Sequence, residues 1–203
     1  MFYDPRRNDH GLPRDPFKSL VVPRPIGWVT TISTAGVVNL APFSFFNAVA
    51  EAPPIVMFAP NGRKPDRSLK DSRVNAEATG EFVLNLATHA LREQMNATST
   101  ALPAGTDEMQ FAGLTPAPSR QVRPPRVAES PVHLECRYLQ TVVLPASPDG
   151  ANAVIFGEVV GIHIDDGLIK EGRVDILAAR PIARLGYSEY TAVDGKFRMP
   201  FPD

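Results

Sequence analysis

Alternation of apolar and polar residues is the dominant pattern in this chain, and it predicts strands. The pattern is clearest in residues 26–33, where many side chains are β-branched. In that stretch Trp28 and Thr30 fall on one face of a strand, and Val29 and Thr31 fall on the other. The chain is therefore predicted to be mainly β.

Turn residues divide the chain into further strands. Thr34-Ala35-Gly36 predicts a hairpin turn, and the returning strand over residues 37–41 is expected to end at Pro42, because proline cannot donate to a ladder. The other predicted strands cover residues 55–59, 81–86, 132–144 and 153–164, with Pro148-Asp149-Gly150 as the turn between the last two. Hairpin-linked neighbours favour a closed antiparallel barrel with peripheral helices over a doubly wound parallel sheet.

Helices are predicted to be few and short. Asp71 or Ser72 is expected to cap a helix that stops near Gly80, and Thr88 is expected to cap a second helix over residues 91–95.

The segment 98–131 lacks a regular pattern and contains six prolines. One helical turn is expected within it, over residues 107–111. Because a long loop in a compact domain is usually functional, we expect this segment to act as a lid over a binding site.

Length and composition indicate one globular domain. The chain has 203 residues, of which 43% are hydrophobic, and its 21 prolines are spread throughout. Residues 1–22 are predicted to form an irregular N-terminal arm, and residues 23–203 the domain.

Charge and cysteine content exclude several classes of protein. The 21 basic and 22 acidic residues give a net charge of −1, which argues against a nucleic-acid binder that relies on a global positive field. Cys136 is the single cysteine, so an intrachain disulfide and a cysteine-rich metal site are excluded. No signal peptide and no apolar run of membrane-spanning length is present, so no membrane association is expected, and a reducing cytoplasm is the expected location.

Familiar catalytic motifs are absent. The sequence has no glycine-rich dinucleotide or phosphate loop and no Gly-x-Ser-x-Gly elbow, and its four histidines lack metal-ligand spacing. We therefore predict no metal site, and these motifs offer no candidate for a catalytic side chain. Cys136 is expected to be a buried apolar cysteine. His133 and Glu135 are expected to lie on the surface, with the lining of a cleft as the alternative.

Residues 39–47 differ from a plain core strand, because they combine two asparagines and a serine with Pro42 and three phenylalanines. If Pro42 ends the strand, nearby amides lack strand partners and need other acceptors. A bound ring rich in carbonyl and nitrogen acceptors is one source of them. A turn capped by Asn and Ser above core phenylalanines is the alternative.

Motifs along nearly the whole chain beyond the arm resemble one family. These motifs are residues 23–31, 39–47, 53–54, 70–72, 79–85, 95–98, 108–114, 124–131, 135–136 and 183–186. Their order and spacing closely resemble the flavin reductase-like family, which has the FMN-binding split barrel and includes the flavoredoxins. Ser72 stands where that family often has threonine, and it keeps the hydroxyl.

The resemblance implies a six-stranded antiparallel split barrel that forms a homodimer, with FMN, or FAD as the alternative flavin, near the subunit interface. The implied contacts of the flavin ring are Trp28, Thr30, Thr31, Ala41, Pro42, Phe43 and Ser44. The implied polar contacts are Asn39, Ser44 and Asn47, and the implied phosphate contacts are Thr30, Thr31, Lys70 and Ser72, with Arg63 and Lys64 as further candidates.

The resemblance also implies an oxidoreductase that reduces flavin with NADH or NADPH. Such an enzyme would supply a partner monooxygenase or another electron acceptor. Two alternatives stay open at this point: a flavoredoxin-like electron carrier without nicotinamide activity, and a non-enzymatic barrel that binds flavin or haem.

Overall fold

A computed structural model describes residues 1–103, 105–148 and 150–200. Asp149, in the turn predicted between the two long strands, lies outside the described residues. The strands are β1 (Arg24–Pro25), β2 (Gly27–Ile32), β3 (Val38–Phe43), β4 (Phe46–Glu51), β5 (Pro54–Phe58), β6 (Glu81–Leu86), β7 (Pro116–Ala117), β8 (Arg126–Val127), β9 (Val132–Leu144), β10 (Asn152–Ile164), β11 (Ile169–Lys170), β12 (Arg173–Val174), β13 (Ile182–Arg184) and β14 (Tyr190–Ala192). The helices are α1 (Phe17–Leu20), α2 (Asp71–Thr79), α3 (Arg92–Ala97), α4 (Glu108–Phe111) and α5 (Ile176–Ala179), with a 3₁₀ turn over Asp166–Leu168.

The main sheet has seven strands in the order β3-β2-β6-β9-β10-β5-β4, and every pairing within it is antiparallel. The prediction of a mainly β, antiparallel fold with peripheral helices is confirmed. The sheet has one strand more than the six expected. The additional strand is β4, which forms a hairpin with β5. Every side chain of β4 after Phe46 is exposed. The strand therefore lacks the alternation of apolar and polar residues by which the other strands were predicted.

Pro42 does not end its strand, contrary to the sequence prediction. β3 is an edge strand of the main sheet, and it runs through Pro42, opposite Trp28, to Phe43. The Leu40 N–H points away from β2, to Glu108, and alternation places the nitrogen of Pro42 on the same outer side. No ladder bond is required there, so an edge strand tolerates this proline.

Two hydrophobic clusters lie on the two faces of β2. Trp28 packs with Leu40 and Met95 on one face, and Val29 packs with Phe82 on the other, as the alternation predicted. These clusters fix β2, β3 and α3 relative to one another. No helix among the described residues has the length and apolar character needed to cross a membrane.

The helix ends differ in part from the predictions. Lys70 is the N-cap of α2, and no side chain caps this end, so the caps predicted at Asp71 or Ser72 are wrong. The helix stops at Gly80 as predicted, with a left-handed φ of 74° and its N–H bonded to the Ala76 carbonyl. Leu91, not Thr88, is the N-cap of α3.

The segment 98–131 is more ordered than its sequence pattern indicates. Asp107 caps α4 by accepting the Met109 and Gln110 amides, which confirms the predicted helical turn. Met109, Leu114 and Val127 are buried in the core. These buried side chains anchor the later part of the segment to the barrel, and its first residues border a cleft.

Candidate functional site

A cleft of about 150 Å³ lies beside the outer edge of β3. It is bordered by β3, the start of α2, the chain after α3 and the start of α4. Of the residues predicted as flavin contacts, the cleft brings together Asn39, Ala41, Pro42, Phe43, Lys70 and Ser72.

The Asn39 side chain is held in one orientation at the floor of this cleft. Its Oδ1 accepts hydrogen bonds from Ser72 Oγ at 2.8 Å and from Thr31 Oγ1 at 3.3 Å. Thr31 Oγ1 in turn accepts from Asn75 Nδ2 at 3.1 Å. Because both acceptor positions are filled, the Asn39 amide nitrogen is the group left to donate into the cleft. Within the described ranges it has no partner.

The start of α2 forms the second wall, and its chemistry suits an anion. Because no side chain caps this nine-residue helix, its first amides remain as donors at the positive end of the helix dipole. Lys70 adds a positive charge beside them. The side chains of Lys64 and Asp71 also border the cleft, but they form an ion pair with 2.9 Å between Nζ and Oδ2.

Several predicted contact residues lie beneath the cleft rather than in it. The Trp28 side chain is fully buried, and its Nε1 donates to Thr98 Oγ1 at 2.9 Å. Thr30 is also fully buried, and its hydroxyl accepts from Asn85 Nδ2 at 2.9 Å. Trp28 and Thr31 thus support the cleft through the lining residues Thr98 and Asn39, whereas Thr30 bonds to Asn85, outside the lining.

Ser44 and Asn47 lie outside the cleft. Ser44 is half-buried between β3 and β4, and Asn47 is exposed on β4, where its Oδ1 accepts the Ala48 N–H at 2.9 Å. Arg63, the further phosphate candidate, is exposed and donates to the Arg67 carbonyl.

The remaining lining residues were not predicted individually as contacts. They are Pro65, Asp71, Thr98, Ser99, Thr100, Ala101, Leu102 and Glu108. Six of them lie in segment 98–131, which was expected to cover a binding site, but no local pattern singles out these residues within it. Glu108 accepts the Leu40 N–H at 3.0 Å across 68 positions of the chain.

A second polar cluster corrects the prediction that His133 and Glu135 lie on the surface, since both side chains are buried. Glu135 accepts the backbone N–H groups of Arg120 and Gln121, and its Oε1 lies 2.5 Å from His163 Nε2. Burial raises the pKa of the Glu135 carboxyl, but these hydrogen bonds outweigh burial and hold the pKa below its ordinary value. The cluster ties the segment before β8 to the long strands β9 and β10.

His133 is kept neutral within this cluster. Its Nε2 lies 2.8 Å from the Val127 carbonyl, and its Nδ1 faces the Arg126 guanidinium at 3.3 Å. Burial lowers the pKa of His133 to about 4, the Val127 carbonyl opposes that effect, and the positive charge of Arg126 adds to it. Near neutral pH the ring donates through Nε2 and accepts through Nδ1.

The prediction for Cys136 is confirmed. Its side chain is fully buried, and burial raises the pKa of the thiol, so it remains protonated and unreactive. Among the residues that the structure describes, no group of His, Cys, Asp and Glu is arranged to hold a metal ion.

A larger cavity of about 560 Å³ lies between α3 and the β13–β14 hairpin. Its two arginines are each paired with a carboxylate: Arg180 Nε lies 2.7 Å from Asp194, and Arg92 Nε lies 3.3 Å from Glu93. Both arginines of this cavity are therefore paired, whereas Lys70 and Glu108 of the β3 cleft form no ion pair with a described residue.

Comparison with known proteins identifies the family. Residues 19–187 match the family model described as the flavin reductase like domain. An uncharacterized protein of Aquifex aeolicus (strain VF5) is 41% identical over 181 residues, which cover 89% of each chain. The crystal structure of nitrilotriacetate monooxygenase component B from Bacillus cereus has a TM-score of 0.87 and 30% identity, and the match covers 98% of both chains.

A crystal structure of a putative flavin reductase with split barrel domain from Shewanella frigidimarina NCIMB 400 has the same fold, with a TM-score of 0.83, 21% identity and coverage of 100% of both chains. The expected split barrel is thereby confirmed, with seven strands in its main sheet. The chain belongs to the flavin reductase-like family.

Proposed function

We propose that this protein is an FMN-binding oxidoreductase that reduces flavin with NADH or NADPH. The observation that carries the proposal is the β3 cleft, where an oriented amide donor at Asn39 and an uncapped helix start at Lys70 border one space. FMN requires both kinds of group, because its ring carries carbonyl and nitrogen acceptors and its tail carries a phosphate.

The residues of the cleft fit both the phosphate and the ring of FMN. Lys70 and the first amides of α2 would hold the phosphate without a glycine-rich loop. The Asn39 amide nitrogen would donate to an acceptor on the ring, and Ala41 and Phe43 would lie against the ring. When bound, FMN supplies the hydride-accepting atom N5, so the chain needs no catalytic acid or base of its own. FAD fits only if its adenine half extends out of the cleft.

We propose that the functional unit is a homodimer. The cleft of one chain, at about 150 Å³, is smaller than the roughly 300–1,000 Å³ of most organic-ligand pockets, so a second chain would complete the enclosure. Edge strand β4 and the outer part of β9 provide exposed aliphatic side chains for such an interface, Val49 and Val143 among them. Trp28, Thr30, Ser44 and Asn47 would then act around the flavin as support or as contacts formed on assembly.

We propose that only the first residues of segment 98–131 act as a lid. Ser99 to Leu102 border the cleft, whereas Met109 and Leu114 are fixed in the core. The proposed lid is therefore the stretch from Ser99 to Leu102, and deleting within it should raise the KM for the nicotinamide.

We propose that the reduced flavin serves a partner monooxygenase or another electron acceptor, in the reducing compartment that the single buried cysteine favours. The similar protein from Bacillus cereus is component B of a nitrilotriacetate monooxygenase. The alternative to an enzyme is a flavoredoxin-like electron carrier without nicotinamide activity.

One experiment separates these functions. The visible spectrum of the purified protein with added FMN is recorded, and NADH or NADPH is then added without oxygen. Rapid loss of the flavin bands supports the reductase. Flavin that stays oxidised until a stronger reductant is added indicates the carrier, and protein that binds no flavin refutes both.

A further inference from the structure

Four ionisable side chains line the β3 cleft, two of them positive and two negative. Lys64 and Asp71 neutralise each other in an ion pair. The two remaining ionisable side chains in the lining, Lys70 and Glu108, form no ion pair with any described residue. A positive charge therefore stands at the start of α2 and a negative charge at the start of α4.

Glu108 is held firmly in this position. Its Oε2 accepts the Leu40 N–H from the outer edge of β3 at 3.0 Å. The short helix that carries it is fixed by the Asp107 cap on one side and by Met109, which is 1% exposed, on the other. Its second oxygen, Oε1, has no partner in the part of the chain that the structure describes. Glu108 thus presents an uncompensated carboxylate to the cleft.

These two charges set the direction in which a flavin phosphate would enter. Lys70 and the helix amides attract the phosphate, and Glu108 repels it, so the ring would lie toward Glu108. A carboxylate beside a neutral ring costs little, and it can accept a ring N–H. A ring that has taken up a hydride without a following proton carries a negative charge, and the same carboxylate then repels it.

We propose that Glu108 makes the cleft discriminate between the two redox forms of flavin, binding the reduced form more weakly than the cleft would without this charge. This inference rests on the proposed function. It gives Glu108 the role of a specificity-determining residue that favours release of reduced flavin to a separate acceptor.

The test is the ratio of two dissociation constants, for reduced and for oxidised FMN, measured anaerobically by equilibrium titration. Glu108→Gln removes the charge and keeps a carbonyl that accepts the Leu40 N–H. We expect this ratio to fall about tenfold in Glu108→Gln, chiefly through tighter binding of the reduced form. For a two-electron couple, that change corresponds to a potential of bound flavin raised by about 30 mV.

Two further variants make the result decisive. Glu108→Asp keeps the charge and should keep the ratio within about twofold of the wild type. Glu93→Gln removes an exposed carboxylate on α3, outside the cleft, and should also leave the ratio unchanged. Thermal melting verifies that each variant is folded.

The failures of the two proposals are distinguishable. If wild-type protein binds neither form of FMN, the proposed function is wrong and the inference falls with it. If FMN binds but Glu108→Gln leaves the ratio within twofold of the wild type, the role of Glu108 is overturned and the proposed function stands.

Discussion

Asn39 is the residue that would supply the amide donor of the proposed flavin site. Asn39→Asp keeps the acceptor for Ser72 and Thr31, but it removes the amide donor and adds a negative charge. We expect the dissociation constant for oxidised FMN to rise at least about tenfold. The hydrogen bond from the amide is lost, and the new carboxylate repels the acceptor atoms of the ring. Fluorescence titration of FMN measures this change.

Asn8→Asp is the matched control, since it makes the same chemical change at an exposed position in the N-terminal arm, outside the cleft lining. The expected change there is less than about twofold. A large loss of affinity in Asn8→Asp together with normal affinity in Asn39→Asp would contradict the placement of the ring in the β3 cleft.

His133 gives the fold a defined sensitivity to acid. Its pKa is about 4 in the native protein against an ordinary value of 6.5, so the unfolded chain binds a proton in this range that the native chain does not. Stability contributed by neutral His133 is therefore complete above about pH 6.5 and is lost as the pH falls toward 4. The loss is at most about 3 kcal/mol.

Chemical denaturation between pH 7 and 4 measures this effect. His133→Gln keeps an amide that can donate to Val127 and a carbonyl that can accept from Arg126, but it does not titrate. The pH dependence of unfolding should be flatter in this variant. An equally steep dependence in both proteins would show that other groups, such as Glu135 at the acid end, are responsible.

The identities of the cleft residues were predictable, but their interactions were not. Asn39, Lys70 and Ser72 stand out as family motifs, and the structure places all of them around one cleft. The bond between Ser72 and Asn39 spans 33 positions, and sequence alone carries no sign of it. The burial of His133 and Glu135 was mispredicted because the loop that covers them is packed by contacts remote in sequence.

We expect the start of α2 to be the element that distinguishes FMN from flavins without phosphate. Lys70→Met removes the free positive charge beside the uncapped helix end. We expect the dissociation constant for FMN to rise about tenfold, and its dependence on salt concentration to weaken, because a charge-assisted contact is lost. Riboflavin, which lacks the phosphate, should bind the variant and the wild type equally. Equal losses for both flavins would mean that Lys70 does not act on the phosphate.

Elements with regular alternation or strong turn residues were predicted well. β6 and β9 have the predicted bounds, and α2 stops at Gly80 as expected. The errors fall at the sheet edges, where β4 lacks alternation and β3 continues through Pro42. Edge strands are exposed on one side, so the rules derived from fully paired strands apply to them only in part.

Assembly is the property of the whole molecule that the proposed function requires. We expect light scattering to give twice the 22.1-kDa mass of the chain. Val143→Glu places a charge on the exposed outer part of β9, and it should shift the protein toward monomer and weaken FMN binding in parallel. Val174→Glu, at an exposed position on β12, is the control and should remain dimeric. A wild-type monomer would contradict the interface site.

Pro42 has a consequence that reaches beyond ligand binding. An exposed sheet edge with free N–H groups invites a strand from another chain and can start aggregation. On the open side of β3, the Leu40 N–H is occupied by Glu108, and Pro42 offers no N–H at the next outward position. At these two positions the rim of the cleft therefore offers no free N–H to a foreign strand, which protects the protein from edge-to-edge association without closing the cleft.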